Sequence, residues 1–382
     1  MVEITGLTGY RPKKEKVAEL TTPAYDVIDR GSDLEALLKG RPNSLWHIIL
    51  GDKPKQTLDE FISNGVLQED KEPCFYVHEQ IYNGKKRTGV FVAAKVGKDI
   101  FDHEDTNKDK VQGRLKLAQD TGYSFGPVYT LTESPINKVL NEIKKTHKPL
   151  YEFTSDFGGF SDLDGILNRV FHIKANSPEG LQLIELIEKN ELDIADGHHR
   201  YKATMLNGQQ YAPTYICEAK DARIQAYNRV INGLVKFNDI KDKLKNLQEI
   251  RDFKTPDKEH QICIYTGNKT YLWNVASKVP DSNDLIGSLD VSILENELNP
   301  LLKIKKEHTR KNSEYVGYYP ESQLDEMKKL VQSREYEIAI ALHPVSVKKV
   351  IEVARSGKKM PPKSTYFDKI LSGIFTMKNN CL

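Results

Sequence analysis

The sequence predicts a mixed α/β protein of more than one domain. Strand-like and helix-like segments alternate along the chain. An Asn-Gly pair sits between two alternating apolar runs, the strongest short-range hairpin signal. At about 150 residues per domain, a chain of 382 residues has room for two or three. A hydrophobic fraction of 38% and a charged fraction of 29% describe a packed globular chain rather than a disordered one. With 56 basic and 54 acidic residues the net charge is +2, which gives no general polycationic face for nucleic acid. Cys74, Cys217, Cys263 and Cys381 are far apart and show no CxxC spacing, as expected of free thiols in a reducing compartment. The first residues lack the apolar stretch of a signal peptide, and no run approaches the ~18 apolar residues of a membrane span. The expectation is a soluble cytoplasmic protein.

The elements follow in order. Residues 11–20 have the composition of a short helix, and Pro23 forces an extended turn before Tyr25-Asp26. That pair reads equally as a polar contact in a cleft or as a capped turn. The apolar run 45–50 is strand-like, with His47 as a satisfied core histidine. Residues 74–82 and 87–96 flank Asn83-Gly84 and form an antiparallel hairpin. After it comes Asp102-His103-Glu104-Asp105-Thr106. This is either a solvated acidic loop or a set of carboxylates held by a rigid hairpin, compatible with Mg²⁺. A charged helix over 107–120, a turn over 122–127 and a strand over 128–131 follow. An amphipathic helix spans 135–148, a strand 169–173 and a helix 181–189.

The chain is organised around residues 192–205, LDIADGHHRYKATM. A short apolar strand meets the turn signal Asp196-Gly197, and His198, His199 and Arg200 open a helix that ends near Asn207-Gly208. Free N–H groups and the positive end of the helix dipole suit this point to an anion such as phosphate. A strand at 215–217 follows, and then an apolar run, 226–237, with Asn228 and Arg229 embedded in it. A buried Arg must reach a partner or an anion. Residues 241–249 read as a charged helix, 261–265 and 271–273 as a second hairpin, and 290–299 as a helix. A strand over 335–342 and a helix over 345–356 complete the pattern. Last, Pro361-Pro362 stiffens the chain before Lys363-Ser364-Thr365, a cation and two hydroxyls that serve as phosphate-binding tools or as a solvated basic loop. Walker A, kinase Gly-rich and GxGxxG loops are all missing.

Three of these pieces carry a resemblance. His103-Glu104, the DGHHR of residues 196–200 and Pro362-Lys363-Ser364-Thr365 resemble, in that order, the signature of free-serine kinases built on the ParB/sulfiredoxin-like fold. A set of longer proteins looks more similar still. They share Pro-Ala-Tyr-Asp-Val, here 23–27, the His-Glu-x-Thr of 103–106, ADGHHRY at 195–201, an Arg-Val-Ile at 229–231 and MPPKST-x-F at 360–367. Some of them look like pyrophosphate-dependent serine kinases. The stretch from Glu104 to Asp196 is longer than in the short kinases, and Asn228 stands where the longer set usually has His.

The resemblance implies a phosphotransferase that makes O-phospho-L-serine from L-serine and pyrophosphate with Mg²⁺, or with ADP or ATP as donor. Glu104 would be the general base, with Asp196 and His199 catalytic beside it and Asp196 orienting Mg²⁺ or the histidines. His103, Thr106, Gly197, His198, Arg200, Arg229, Lys363, Ser364 and Thr365 would bind substrate or phosphate, the last three from another domain. It also implies a ParB-like core over 97–240, between an N-terminal α/β segment, 1–96, and a C-terminal α/β domain, 241–382. Neither nucleic acid nor membrane is expected as a partner. A ParB-like nucleotide- or nucleic-acid-binding protein is the competing reading and calls for a basic face. A zinc hydrolase on Asp196, His198 and His199 lacks HExxH spacing.

Overall fold

The structure, a computed structural model, describes residues 1–281, 283–309 and 312–379. Its architecture is mixed α/β, as the alternating pattern predicts. The chain forms two compact units. Met1–Asp102, Thr106–Ala222 and the segment from Lys369 make the first; His103–Asp105 and Arg223–Asp368 make the second. This differs from the three consecutive segments 1–96, 97–240 and 241–382. The hairpin strands Cys74–Tyr82 and Lys85–Lys95 pair outward with Leu167–Lys174 and Tyr211–Glu218, so no boundary falls at 96. Strand Tyr227–Ile231 pairs with Val316–Pro320 and Ile338–Leu342, so the second unit begins before 240.

Among the described residues, the first unit is built on a nine-stranded sheet. Its centre is the expected hairpin, closed by Tyr82 opposite Lys85 with Asn83 and Gly84 both at positive φ. Strand Leu192–Asp196 lies between Val128–Thr132 and the short strand Ile100–Phe101. The strands alternate as a half-buried sheet requires. Phe75, Val77, Val90 and Val92 face helices Asn137–Thr146 and Pro178–Ile187, meeting Val139, Leu140, Ile143, Leu183 and Ile187 in one core. Each such side chain contributes roughly 1.5–3 kcal/mol on leaving water. The other face carries His78, Phe91, Tyr129 and Tyr215, in ring contact at 5.0–6.1 Å. A smaller four-stranded sheet joins Gly9–Pro12 to Leu67–Glu69 and to Thr376–Lys378, which in turn pairs with Tyr123–Phe125.

The second unit has a six-stranded sheet in which every pairing is antiparallel. Helix Leu324–Gln332 covers it, setting Met327 and Val331 against Val230, Cys263, Ala339 and Ala341. The helix expected over 290–299 starts as Asp290–Ile293 and continues as a π-helical turn, Leu294–Leu298.

Three local expectations are corrected. Residues 45–50 contain a helical turn, Trp46–Ile49, whose Trp46, Ile48 and Ile49 are buried; packing against Leu20, Leu58 and Phe61 overrides the strand propensity of the run. The helix expected over 241–249 is replaced by a 3₁₀ turn, Lys241–Lys243, and a strand, Leu247–Ile250. Asn246 at φ 63° breaks the helix, and Thr270–Asn274 supplies the pairing edge. Gly122 and Gly126 do turn the chain, at φ 77° and 78°, but Tyr123–Phe125 between them is a strand, recruited by a C-terminal partner invisible to local pattern. Cys74, Cys217 and Cys263 are buried free thiols, and Cys381 lies outside the described residues. No helix among the described residues is long and apolar enough to cross a membrane.

Candidate functional site

In the first unit, strand Leu192–Asp196 delivers Asp196 to the start of helix His198–Leu206. Gly197 makes the turn at φ 94°, where an L side chain is strained, and a Cβ there would meet the Arg200 guanidinium at 3.1 Å. Asp196 accepts two cationic hydrogen bonds, from Arg200 Nη2 at 2.6 Å on Oδ2 and from Lys369 Nζ at 2.6 Å on Oδ1. Burial alone would raise its carboxyl pKa, but Lys369 and then Arg200 outweigh that and hold it well below the usual range. The second Arg200 amine donates to the Pro127 carbonyl. The guanidinium expected to fork onto phosphate is therefore turned inward, spent on Asp196 and a backbone turn. Lys369 was not legible in the sequence: it stands 173 residues from Asp196 with no motif around it.

His198 is buried. His199 is half-buried, and its Nε2 accepts the Asn107 N–H at 3.0 Å. Asn107 in turn caps helix Lys108–Thr121 through Asp109 N–H and Lys110 N–H, so His199 fixes the start of a second helix. Burial first, and the Lys110 charge second, push the His199 pKa down to about 4. It is a neutral acceptor at pH 7, rather than a cation on phosphate. Thr106 is half-buried just before that cap.

Because the ordinary histidine value is 6.5, the unfolded chain binds a proton at His199 that the folded chain refuses. Its contribution to stability is complete above pH 6.5 and is lost as the pH falls towards 4. Wild type should therefore lose unfolding midpoint in urea between pH 7 and pH 5. His199→Gln, which keeps an acceptor for Asn107, should show a shallower slope over the same interval.

Sequence reasoning also missed a cation beside this site. Arg114 lies over the Tyr25 ring at 3.9 Å and donates Nη2 to the Ile49 carbonyl at 3.1 Å. Its buried Nε has no acceptor, and it makes no ion pair among the described residues. Tyr25, whose phenol burial and then Asp26 push up, feels the charges of Arg200 and Asp196 as well. The polar contact read as one option for Tyr25-Asp26 is thus present.

In the second unit, His103-Glu104 and the MPPKST segment come together. Met360 N–H donates to the His103 carbonyl at 2.8 Å, and Glu104 forms a parallel bridge with Met360. His103 is buried, with Nε2 3.5 Å from Thr365 Oγ1, a residue 262 positions away. Lys363 adopts a left-handed φ of 63°, and its Nζ donates to the Tyr227 hydroxyl at 3.1 Å. Ser364 Oγ donates to the Pro361 carbonyl at 2.6 Å and so closes the turn. Arg229 is 1% exposed. It donates to the Tyr227 carbonyl at 2.9 Å, lies over the Tyr318 ring at 5.2 Å, and its Nε has no acceptor. Among the described residues no carboxylate pairs with it. Asn228 accepts Leu342 N–H at 3.0 Å and so ties two strands.

A family model described as "Protein of unknown function (DUF1015)" matches residues 4–292. The chain belongs to that family. The match takes in His103-Glu104, DGHHR and Arg229, and stops short of MPPKST. No curated protein matches this DUF1015 chain. Among solved structures it is similar to a free serine kinase in complex with AMP, at 14% identity over 75% of this chain and 92% of the other, with a TM-score of 0.38. It is similar to a conserved hypothetical protein from Pyrococcus furiosus at 15% identity, over 75% and 95% of the two chains, with a TM-score of 0.35. C-terminally truncated SbnI from Staphylococcus aureus matches at 10% identity over 73% and 82%, with a TM-score of 0.38.

The DUF1015 chain does not offer Asp196 as a seat for Mg²⁺, because both carboxylate oxygens are held by cations at 2.6 Å. Among the described residues no group of three His, Cys, Asp or Glu side chains is placed to hold a metal. What each unit does offer is a guanidinium with no carboxylate in hydrogen-bond range among the described residues, half-buried Arg114 in the first, with Asp26 at longer range, and buried Arg229 in the second, with Glu295 at longer range. Such a charge is costly unless an anion completes it.

Proposed function

We propose that this DUF1015 protein is a phosphotransferase that phosphorylates free L-serine to O-phospho-L-serine, with pyrophosphate as donor. The observation that carries the reading is in the second unit. His103-Glu104, a carboxylate with a buried histidine, is stitched by backbone hydrogen bonding to the segment bearing Lys363, Ser364 and Thr365. Phosphoryl transfer asks little covalent chemistry of a protein: a base for the hydroxyl, and fixed cations and N–H groups for spreading negative charge. Glu104 takes the serine hydroxyl proton. Lys363 and Thr365 contact the transferring group, and Arg229 supplies a buried guanidinium that no carboxylate hydrogen-bonds among the described residues. Ser364 holds the turn, His103 positions Thr365, and Thr106 leads into the helix cap that His199 fixes. In the first unit, Gly197 and the N–H groups at His198 form an anion site. Arg114 takes the role first read for Arg200, while Asp196, Arg200 and Lys369 keep that turn in shape. Mg²⁺ enters as the counter-ion of the pyrophosphate rather than as a resident on Asp196.

The resemblance to the longer set of proteins favours pyrophosphate over ADP or ATP, and the missing nucleotide loops leave that donor open, since a compact anion needs only cations and N–H groups. Kinship with the ParB/sulfiredoxin-like serine kinases is part of the same proposal and rests on the ordered motifs. The test is release of orthophosphate from Mg²⁺-pyrophosphate by the purified chain. Release that requires L-serine is the expected result; release indifferent to serine, or none with folded protein, overturns the reading.

A further inference from the structure

The second unit contains a cavity of about 220 Å³ that none of the motif residues except Ser364 announces. Leu342 and Tyr227 from the sheet and Leu289 and Val291 from the opposite side give it apolar walls. Two of its charged groups stand out because neither is paired with a Lys, Arg, Asp or Glu. Asp290 is 8% exposed, and its carboxylate accepts the His260 backbone N–H at 2.9 and 3.1 Å and His260 Nδ1 at 3.1 Å, but no Lys or Arg. Burial pushes its carboxyl pKa up in spite of His260, with Glu259 adding to the rise. Lys349, on helix Val347–Arg355, is half-buried and makes no ion pair among the described residues; its charge is felt at Asp284, after that of Lys358. His260, Glu259, His343 and the Tyr227 phenol are the other titratable groups that line the space.

A buried acid whose only charged neighbour in contact is a histidine, and an ammonium without an acid, on the walls of one cavity, together describe a receptor for a zwitterion. The backbone supports a built site. His260 adopts φ 63°, and Lys363, next to the lining Ser364, has the same left-handed value. Such strained conformations persist where the surroundings impose them, commonly at ligand sites. Apolar walls with a few placed polar groups are the usual make-up of a small-molecule pocket.

We propose that this cavity receives the free α-amino acid itself, its ammonium against Asp290 and its carboxylate against Lys349. The proposal rests on the serine-kinase reading for the identity of the amino acid, and on the cavity alone for its class. It makes Asp290 and Lys349 specificity residues: acceptors lacking either charge are excluded. His260 is a positioning residue that holds the Asp290 carboxylate.

The experiment is calorimetric titration of the full chain with L-serine, glycine, L-alanine and L-threonine, and with ethanolamine and 3-hydroxypropionate, which each lack one charge. It is run alongside an assay for phosphoserine. Wild type should bind L-serine and neither single-charge analogue. Asp290→Asn and Lys349→Ala should each weaken serine binding at least tenfold, raising KM with little change in kcat. Lys349 makes no internal ion pair, so its variant keeps the test decisive where Asp290→Asn fails to fold. Unchanged serine affinity in Lys349→Ala, or no binding of any amino acid by wild type, overturns the cavity proposal. Phosphoserine formed with unchanged KM in the variants leaves the kinase reading standing without it. Amino-acid binding that the variants abolish, with no phosphoserine from any donor, sinks the kinase reading and keeps the cavity.

Discussion

Glu104→Gln is expected to lower kcat for serine phosphorylation by about 10²- to 10⁴-fold, the usual worth of a positioned general base. The substitution keeps size and shape. Backbone contacts help to place residue 104, as a bridge to Met360 beside the Met360–His103 hydrogen bond, and a side-chain amide leaves those contacts intact. Stability should therefore stay within roughly 0.5 kcal/mol of wild type, as for surface changes away from special features. An amide nitrogen cannot take a proton, so the serine hydroxyl would attack unassisted. Because the lost interaction acts only as the hydroxyl loses its proton, KM for serine should change little while kcat collapses. The check is steady-state kinetics beside a thermal melt. Full kcat with a normal melt removes Glu104 from the base role.

Asp196→Asn should be the most destabilising single change in the first unit. Asp196 neutralises two cations whose side chains are only 7% and 11% exposed, Arg200 and Lys369. An amide offers one acceptor oxygen and no charge, which leaves two neighbouring cations facing each other in a poorly solvated place. Breaking a buried pair from one side costs about 3–5 kcal/mol, and the pH dependence has a defined sign. The Asp196 carboxyl sits below its unfolded value, so its stabilisation is present above the unfolded value of 3.8 and is lost as pH falls below it. The urea midpoint of wild type should exceed that of Asp196→Asn clearly at pH 7, and the gap should narrow in strong acid. Equal midpoints at pH 7 would mean that Asp196 is no keystone.

The candidate site was partly legible in the sequence, and the division follows from what local pattern can carry. The strand, turn and helix around DGHHR were readable because apolar run, Asp-Gly and helix spacing lie within fifteen residues, as the elements Leu192–Asp196 and His198–Leu206 show. So was the hairpin, because Asn83-Gly84 states its own turn. Side-chain direction was not. Arg200 read as a phosphate fork, and only the partners at Pro127 and Asp196 reveal that it faces inward. His199 read as a phosphate contact, yet its acceptor role depends on Asn107, 92 residues upstream. Lys369 and Arg114 carry no motif, since an isolated basic residue in a polar stretch looks like solvent-facing charge until the fold buries it. The pairing of His103-Glu104 with Met360 was unforeseen as geometry, although both pieces were singled out as motifs. A three-residue insertion of one unit's chain into the other leaves no compositional trace. The cavity at Asp290 and Lys349 was missed altogether, because its walls come from six separated segments.

The most direct test of the central claim is phosphorus NMR of the purified chain with L-serine and Mg²⁺, with pyrophosphate, ADP and ATP in separate tubes. A phosphoserine resonance growing with orthophosphate in the pyrophosphate tube is the predicted result. Silence in all three tubes, from protein that melts cooperatively, would contradict the serine-kinase reading.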